Sequence, residues 1–134
     1  MKEFLVEIIT PSKAAFKGNV TSITVPGSLG EFQVLFNHAP LMSSFEIGKI
    51  HIKNLNDEET IFATSGGVVE VNHNKVLVLS DSVESIPSID VDRAQKALDR
   101  AKERLANKNG ELDVQRAEAA LARAVNRLRL TNIN

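Results

Sequence analysis

Cysteine, tryptophan and tyrosine are all missing from this 134-residue chain. Without cysteine there is no disulfide framework and no thiolate metal site, a composition that fits a reducing compartment. The three histidines, His38, His51 and His73, lack metal-ligand spacing. No run approaches the ~18 apolar residues that a membrane-spanning helix needs. At the N-terminus, Glu7 interrupts the apolar core that a signal peptide would require. A soluble protein is expected, one that meets a membrane only through a partner. Two further absences divide the chain. All seven Arg lie after Pro87 and all six Phe before it, and no proline follows Pro87. Residues 1–86 carry six Lys against ten acids, a net of −4, whereas residues 87–134 carry ten Lys plus Arg against seven acids, a net of +3. Two domains are expected, 1–86 and 87–134.

The first domain reads as short strands rich in Val, Ile, Thr and Phe: Phe4–Ile9, Asn19–Val25, Glu31–Leu35, Gly48–Lys53, Thr60–Thr64, Gly67–Asn72 and Lys75–Ser80. Asn54–Glu59 is a polar hairpin loop and Asn72-His73-Asn74 a tight turn. Strands spaced by about ten residues predict an antiparallel sandwich or flattened barrel. The large side chains are here, so this part can fold alone.

The second domain contains one sentence written twice. Asp90–Leu105 aligns without a gap on Asp113–Leu128, with ten of sixteen positions identical at an offset of 23. Ala94, Leu98, Ala101 and Leu105 follow i, i+4, i+7, i+11 spacing, and Ala117, Leu121, Ala124 and Leu128 repeat it, which places each set on one stripe of a helix. Pro87 and Ser88 mark the start, Asp90 puts negative charge in the first turn, and Asn107-Lys108-Asn109-Gly110 breaks the run because Asn and Gly accept φ > 0. An antiparallel hairpin with a thin alanine seam follows. Arg93, Arg100 and Arg104 form a second stripe beside the seam, and Arg116, Arg123 and Arg127 repeat it. The hairpin's rough two-fold axis brings both stripes to one side. One outcome is a solvated face neutralised by Asp92, Asp99, Glu103 and Glu118. The other is a site for an anion or acidic partner, since the planar guanidinium fork suits phosphate and carboxylate.

No catalytic constellation assembles from the rest. Val25–Phe32 lacks the Gly-Lys-Ser/Thr of a phosphate loop and reads as a strand connection. His38, in Asn37-His38-Ala39-Pro40, has no nucleophile or paired carboxylate and reads as a turn histidine. Ser65-Gly66-Gly67 precedes a strand, not a helix, so it serves tight backbone packing.

Together, Val25–Phe32, Asn37-His38-Ala39-Pro40-Leu41, Ser65–Val71, Val76–Leu79 and Ile89-Asp90-Val91-Asp92-Arg93-Ala94 resemble, in order and over the whole chain, the epsilon-subunit family of bacterial F-type ATP synthases. The last of these matches the family's Ile/Leu-Asp-x-x-Arg-Ala motif. The resemblance implies an α+β chain, with a β-sandwich of about ten strands followed by a two-helix hairpin. It implies a non-catalytic subunit of the proton-transporting complex, on the cytoplasmic face of the bacterial membrane. The sandwich would dock on the gamma subunit and the c-ring through Glu31, His38, Ala39 and Pro40. The helices would lie folded, or extend towards the alpha/beta catalytic head and restrain ATP hydrolysis. In some members the folded hairpin binds ATP. The matching positions are Glu84, Ile89, Asp90, Arg93, Ala94, Arg100, Arg123 and Arg127. The resemblance implies no required cofactor and allows ATP as a regulatory ligand, with any Mg²⁺ dependence open. Val68 stands where the family usually has an aromatic and Phe36 where proline is common; both read as packing positions.

Two rival readings ask for features of their own. A free-standing nucleotide-binding or hydrolysing protein would need a Mg²⁺-binding carboxylate beside a phosphate loop and a base for the attacking water. A nucleic-acid binder would call for higher net charge and stacking aromatics.

Overall fold

Apolar and polar residues alternate from the first strand onward, and the fold follows that alternation. A computed structural model describes residues 2–107 and 110–132, positions 111 and 112 by backbone alone. In β1 (Phe4–Ile9), Phe4, Val6 and Ile8 are buried while Leu5, Glu7 and Ile9 are half-exposed, as a period of two dictates. Nine more strands follow: β2 (Ala14–Val20), β3 (Ser22–Gly27), β4 (Gly30–Val34), β5 (Leu41–Phe45), β6 (Gly48–Lys53), β7 (Glu59–Thr64), β8 (Gly67–Asn72), β9 (Lys75–Ser80) and β10 (Val83–Ser85). After a 3-10 turn at Ile86–Ser88 come α1 (Val91–Ala106) and α2 (Glu111–Thr131). The chain divides into two compact units, Met1–Ser85 and Ile86–Asn134.

The strands form one connected sheet in the order β10-β7-β6-β3-β5-β8-β9-β1-β2, with β4, off this path, paired to β3. Its two halves meet through a single register pair, Gly27↔Phe45. There the sheet folds over on itself. Ile23, Val25, Val34, Ile50, Ile52, Phe62 and Val83 from one half pack with Phe4, Val6, Ile8, Val20, Phe45, Val69, Val71, Val76 and Val78 from the other. Phe16 on β2 meets Phe62 on β7 edge to face, with centroids 6.2 Å apart, an arrangement that the ring quadrupoles favour.

The β-then-α order expected from the sequence is the order found, with some corrections of detail. Pairing is antiparallel except between β1 and β9, which run parallel. The expected strand Asn19–Val25 is two strands, parted at Thr21, and β2, β5 and β10 were not signalled by composition. Val68 is 42% exposed on the outer face of β8, so it is no packing position in this chain. Phe36 does pack against the core, and Lys2 sits 5.3 Å from the centroid of its ring.

The expected turns are present. Ser28 and Leu29 form the two-residue tip between β3 and β4, closed by the Gly27↔Gly30 pair. His73 and Asn74, at φ 49° and 60°, join β8 to β9 in the manner of a type I′ hairpin turn. A buried polar knot underlies Ser65-Gly66-Gly67. The Thr64 and Ser80 hydroxyls are 2.8 Å apart, and the Ser80 hydroxyl lies 3.0 Å from the carbonyls of both Gly66 and Ser82. Its one proton serves one of these acceptors at a time.

Candidate anion site on the arginine hairpin

The helices start from Ile89, whose side chain is buried and whose amide donates to the Ile86 carbonyl at 3.2 Å. Asp90 is the N-cap itself rather than a first-turn acid. Its Oδ1 accepts the Arg93 backbone N–H at 3.0 Å, satisfying one of the donors that a helix start leaves open. Asp90→Ala is therefore expected to cost about 1 kcal/mol of hairpin stability. An unchanged helical melting profile would show that the cap is idle.

At the other end, α1 stops at Asn107, whose φ of −109° is not left-handed. Lys108 and Asn109 lie outside the described residues. Gly110 takes the positive φ, +128°, as the N-cap of α2, so the glycine expected to end one helix begins the next. It offers no side-chain cap. The intervening residues cannot span the ~24 Å that 16 helical residues cover, so α1 and α2 run antiparallel.

All four alanines of the repeated stripe, Ala94, Ala101, Ala117 and Ala124, are buried. The antiparallel arrangement sets Ala94 level with Ala124 and Ala101 with Ala117. The stripe's leucines, Leu98, Leu105, Leu121 and Leu128, are only half-buried. Alanine thus occupies the line of closest approach and leucine its margins, which makes the seam narrow.

The arginines divide into two sets. Arg100, Arg104 and Arg116 line a hollow of about 630 Å³ towards the loop end, together with Glu103, Asn107 and Asp113. Arg93, Arg123 and Arg127 are not among its lining residues; on the backbone they fall level with one another at the open end. Arg93 is exposed, and Arg123 and Arg127 are half-buried. Among the described residues, no ion pair with a carboxylate is found for Arg93, Arg100, Arg104 or Arg116. The neutralising pattern of Asp92, Asp99, Glu103 and Glu118 is thus not realised at these four; Asp99 instead accepts from Gln95 at 3.2 Å.

Of the eight positions matched to a nucleotide site, Ile89 and Ala94 have buried side chains and fix the first turn of α1. Asp90 is committed to the cap, and Arg93, Arg100, Arg123 and Arg127 supply cations. Glu84 belongs to β10, paired with Ala63, in the sandwich unit. In the sequence Arg104 and Arg116 are members of a stripe only; their joint hollow follows from the antiparallel register, which no single helix reveals.

The positions expected to meet partners lie on the sandwich. Glu31 is exposed on β4, opposite Pro26. His38 follows Asn37, which adopts φ 63° and exchanges two hydrogen bonds with Asn74: its N–H donates to Asn74 Oδ1 at 2.6 Å, and Asn74 Nδ2 donates to its Oδ1 at 3.0 Å. His38 Nδ1 is 2.7 Å from the Ala39 carbonyl oxygen, and Ala39 and Pro40 are exposed. This pins the His38 loop to the β8–β9 turn. Among the described residues there is no group of three or more His, Cys, Asp or Glu able to hold a metal ion. No described helix is long and apolar enough to cross a membrane.

Comparison with known proteins covers both units. The family model described as ATP synthase, Delta/Epsilon chain, beta-sandwich domain matches residues 3–86. The model described as ATP synthase, Delta/Epsilon chain, long alpha-helix domain matches residues 88–132. An ATP synthase epsilon chain from Salinibacter ruber is 41% identical over 111 residues, covering 77% of this chain and 74% of that one. A chain in the Euglena gracilis mitochondrial ATP synthase structure of OSCP, F1 and c-ring superposes with a TM-score of 0.78 at 20% identity, over 90% of this chain and 76% of that chain. One from the central stalk and c-ring of the Tetrahymena thermophila enzyme gives 0.71 at 14% identity, over 98% of each.

Proposed function

This chain belongs to the ATP synthase delta/epsilon family, and on that premise we propose that it acts as a non-catalytic regulatory subunit of the rotor stalk. It sits on the cytoplasmic face of the membrane, held there by the complex. The sandwich clamps the gamma subunit and the c-ring, with Glu31, His38, Ala39 and Pro40 at the interface, and so helps to couple proton flow to rotation. The hairpin is a two-state element: closed on itself, or extended towards the alpha/beta head, where it restrains hydrolysis. ATP bound to the closed hairpin opposes extension, drawing on Glu84, Ile89, Asp90, Arg93, Ala94, Arg100, Arg123 and Arg127.

The observation that carries this reading is the seam. Its buried positions are alanines, with Leu130 the one buried leucine among the described residues of the hairpin, so the helices are held together by little apolar area, and a partner surface can compete for them. The arginines beside that seam give a phosphate-bearing ligand cations on both helices at once, a differential affinity for the closed state.

Purified alone, the chain should turn over no ATP. Returned to its parent complex, it should slow hydrolysis. In calorimetric titration with ATP, Arg93→Ala and Arg127→Ala should each weaken binding about tenfold or more, a charged hydrogen bond's worth. Turnover by the isolated chain would sink the regulatory reading, whereas an unchanged titration in both variants would remove only the nucleotide site.

A further inference from the structure

The 23-residue repeat relates the two arginine sets to each other. Arg116 is the counterpart of Arg93, Arg123 of Arg100 and Arg127 of Arg104. In an antiparallel hairpin the operation that exchanges the copies also exchanges the ends. It therefore carries the loop-end set, Arg100, Arg104 and Arg116, onto the open-end set, Arg123, Arg127 and Arg93. Asp113, which lines the loop-end hollow, is likewise the counterpart of the capping Asp90. The duplication has made an approximate second copy of the open-end constellation.

We propose that the loop-end hollow is a separate binding site for a phosphate group, held by Arg104 and Arg116 with Arg100. Its three guanidinium groups come from both helices, and none is in an ion pair with a described carboxylate, although Glu103 and Asp113 line the same hollow. Three guanidinium groups against two carboxylates leave the hollow net positive, and a tetrahedral oxyanion offers each planar fork an oxygen. The start of α2 adds to this. Gly110 gives it no side-chain cap at this end of the hairpin, although Asp113 in its first turn offsets part of the helix dipole. Asp113 differs from its counterpart in position. Because α2 begins at Glu111, Asp113 lies inside the helix, where Asp90 precedes one. A phosphate here would tie α1 to α2 across the thin seam and favour the closed hairpin. Arg100 is shared with the residues proposed above for ATP, but Arg104 and Arg116 are not, so the site stands on their geometry and the repeat and does not depend on nucleotide binding at the open end.

The source of the phosphate group, free inorganic phosphate or the tail of a nucleotide, is separated by titrating the full-length chain with each while recording backbone amide resonances at constant ionic strength. Inorganic phosphate should give saturable shifts centred on Arg100–Asn107 and Asp113–Ala117 that equal chloride does not give. In R104Q/R116Q, exchanges for a comparable helix former at exposed positions, phosphate affinity should fall at least about tenfold, the loss of a charged hydrogen bond. In R93Q/R127Q it should be retained. ATP as the probe should shift the same loop-end amides if the site accepts a nucleotide's phosphates; phosphate-only shifts assign it to the free ion, and either result upholds a phosphate site. Wild-type shifts reproduced by chloride would overturn the proposal without recourse to any variant. So would phosphate binding undiminished in R104Q/R116Q, or abolished equally by R93Q/R127Q, which would make the two ends one site.

Discussion

Gly67→Ala is expected to destabilise the sandwich by about 3 kcal/mol or more, the range of severe overpacking. A Cβ at this position would collide with the Leu79 carbonyl oxygen and come within 2.9 Å of the Leu79 carbonyl carbon and the Ser80 Cα. All three atoms are backbone, so no side chain can rotate away. Gly67 is clasped on both sides, pairing with Phe45 of β5 and Ser80 of β9. Relief therefore requires a strand to move. Moving β9 would in turn break the knot in which the Ser80 hydroxyl meets Thr64 and the carbonyls of Gly66 and Ser82. For a unit of this size the loss corresponds to a fall in Tm of roughly 12 °C or more. Gly18→Ala provides the contrast: its Cβ would meet only the Phe16 ring, at 3.3 Å, and a ring end can yield. Urea unfolding of the two full-length variants distinguishes them, and a Gly67→Ala midpoint close to that of Gly18→Ala would refute the close-approach account.

What the sequence discloses depends on whether a segment's role is local. β1, β6, β8 and β9 are legible to the residue because their β-branched runs end at turn residues such as Asn72-His73-Asn74. Thr21 shows the opposite case. Asn-Val-Thr-Ser-Ile-Thr-Val reads as one strand, yet Thr21 turns the chain from a strand paired with β1 to one paired with β4 and β6. Its amide and hydroxyl both donate to the Lys53 carbonyl, at 2.8 and 3.1 Å. That partner lies 32 positions away, beyond any local pattern. β5, Leu-Met-Ser-Ser-Phe, and the three-residue β10 are strands because neighbours pair with them, not by propensity. The hairpin repeats the lesson. Periodicity identifies the four seam alanines, because helix period is local. It merges six arginines into one flank, because separating them requires the register between helices. The nucleotide set expected from Glu84 to Arg127 rests on family resemblance alone; spacing reaches no further than an anion or acidic partner.

Stopping the chain after Ser85 is expected to leave docking on the stalk intact and to relieve the restraint on hydrolysis about fivefold or more, the lower end of an allosteric coupling. The clustered apolar core of the sandwich, from Phe4 to Val83, lies within residues retained by this truncation, so the docking surface keeps its support. The lost segment is one whose closure is cheap to reverse. Four buried alanine methyls at about 0.8 kcal/mol each supply ~3 kcal/mol, and buried Leu130 and the half-buried leucine margins add a further part. A ligand present at a hundred times its Kd contributes about 2.7 kcal/mol, of the same order as the seam. On the proposed reading, closure and extension would be balanced finely enough for ATP or a partner surface to decide between them. The measurement is the hydrolysis rate of the complex rebuilt with the full chain, with the shortened chain, and without either, alongside a pull-down that counts the bound subunit. Full restraint by the shortened chain would assign inhibition to the sandwich and leave the hairpin without a part in it. Failure of the shortened chain to bind would make the helices a docking element instead of a switch.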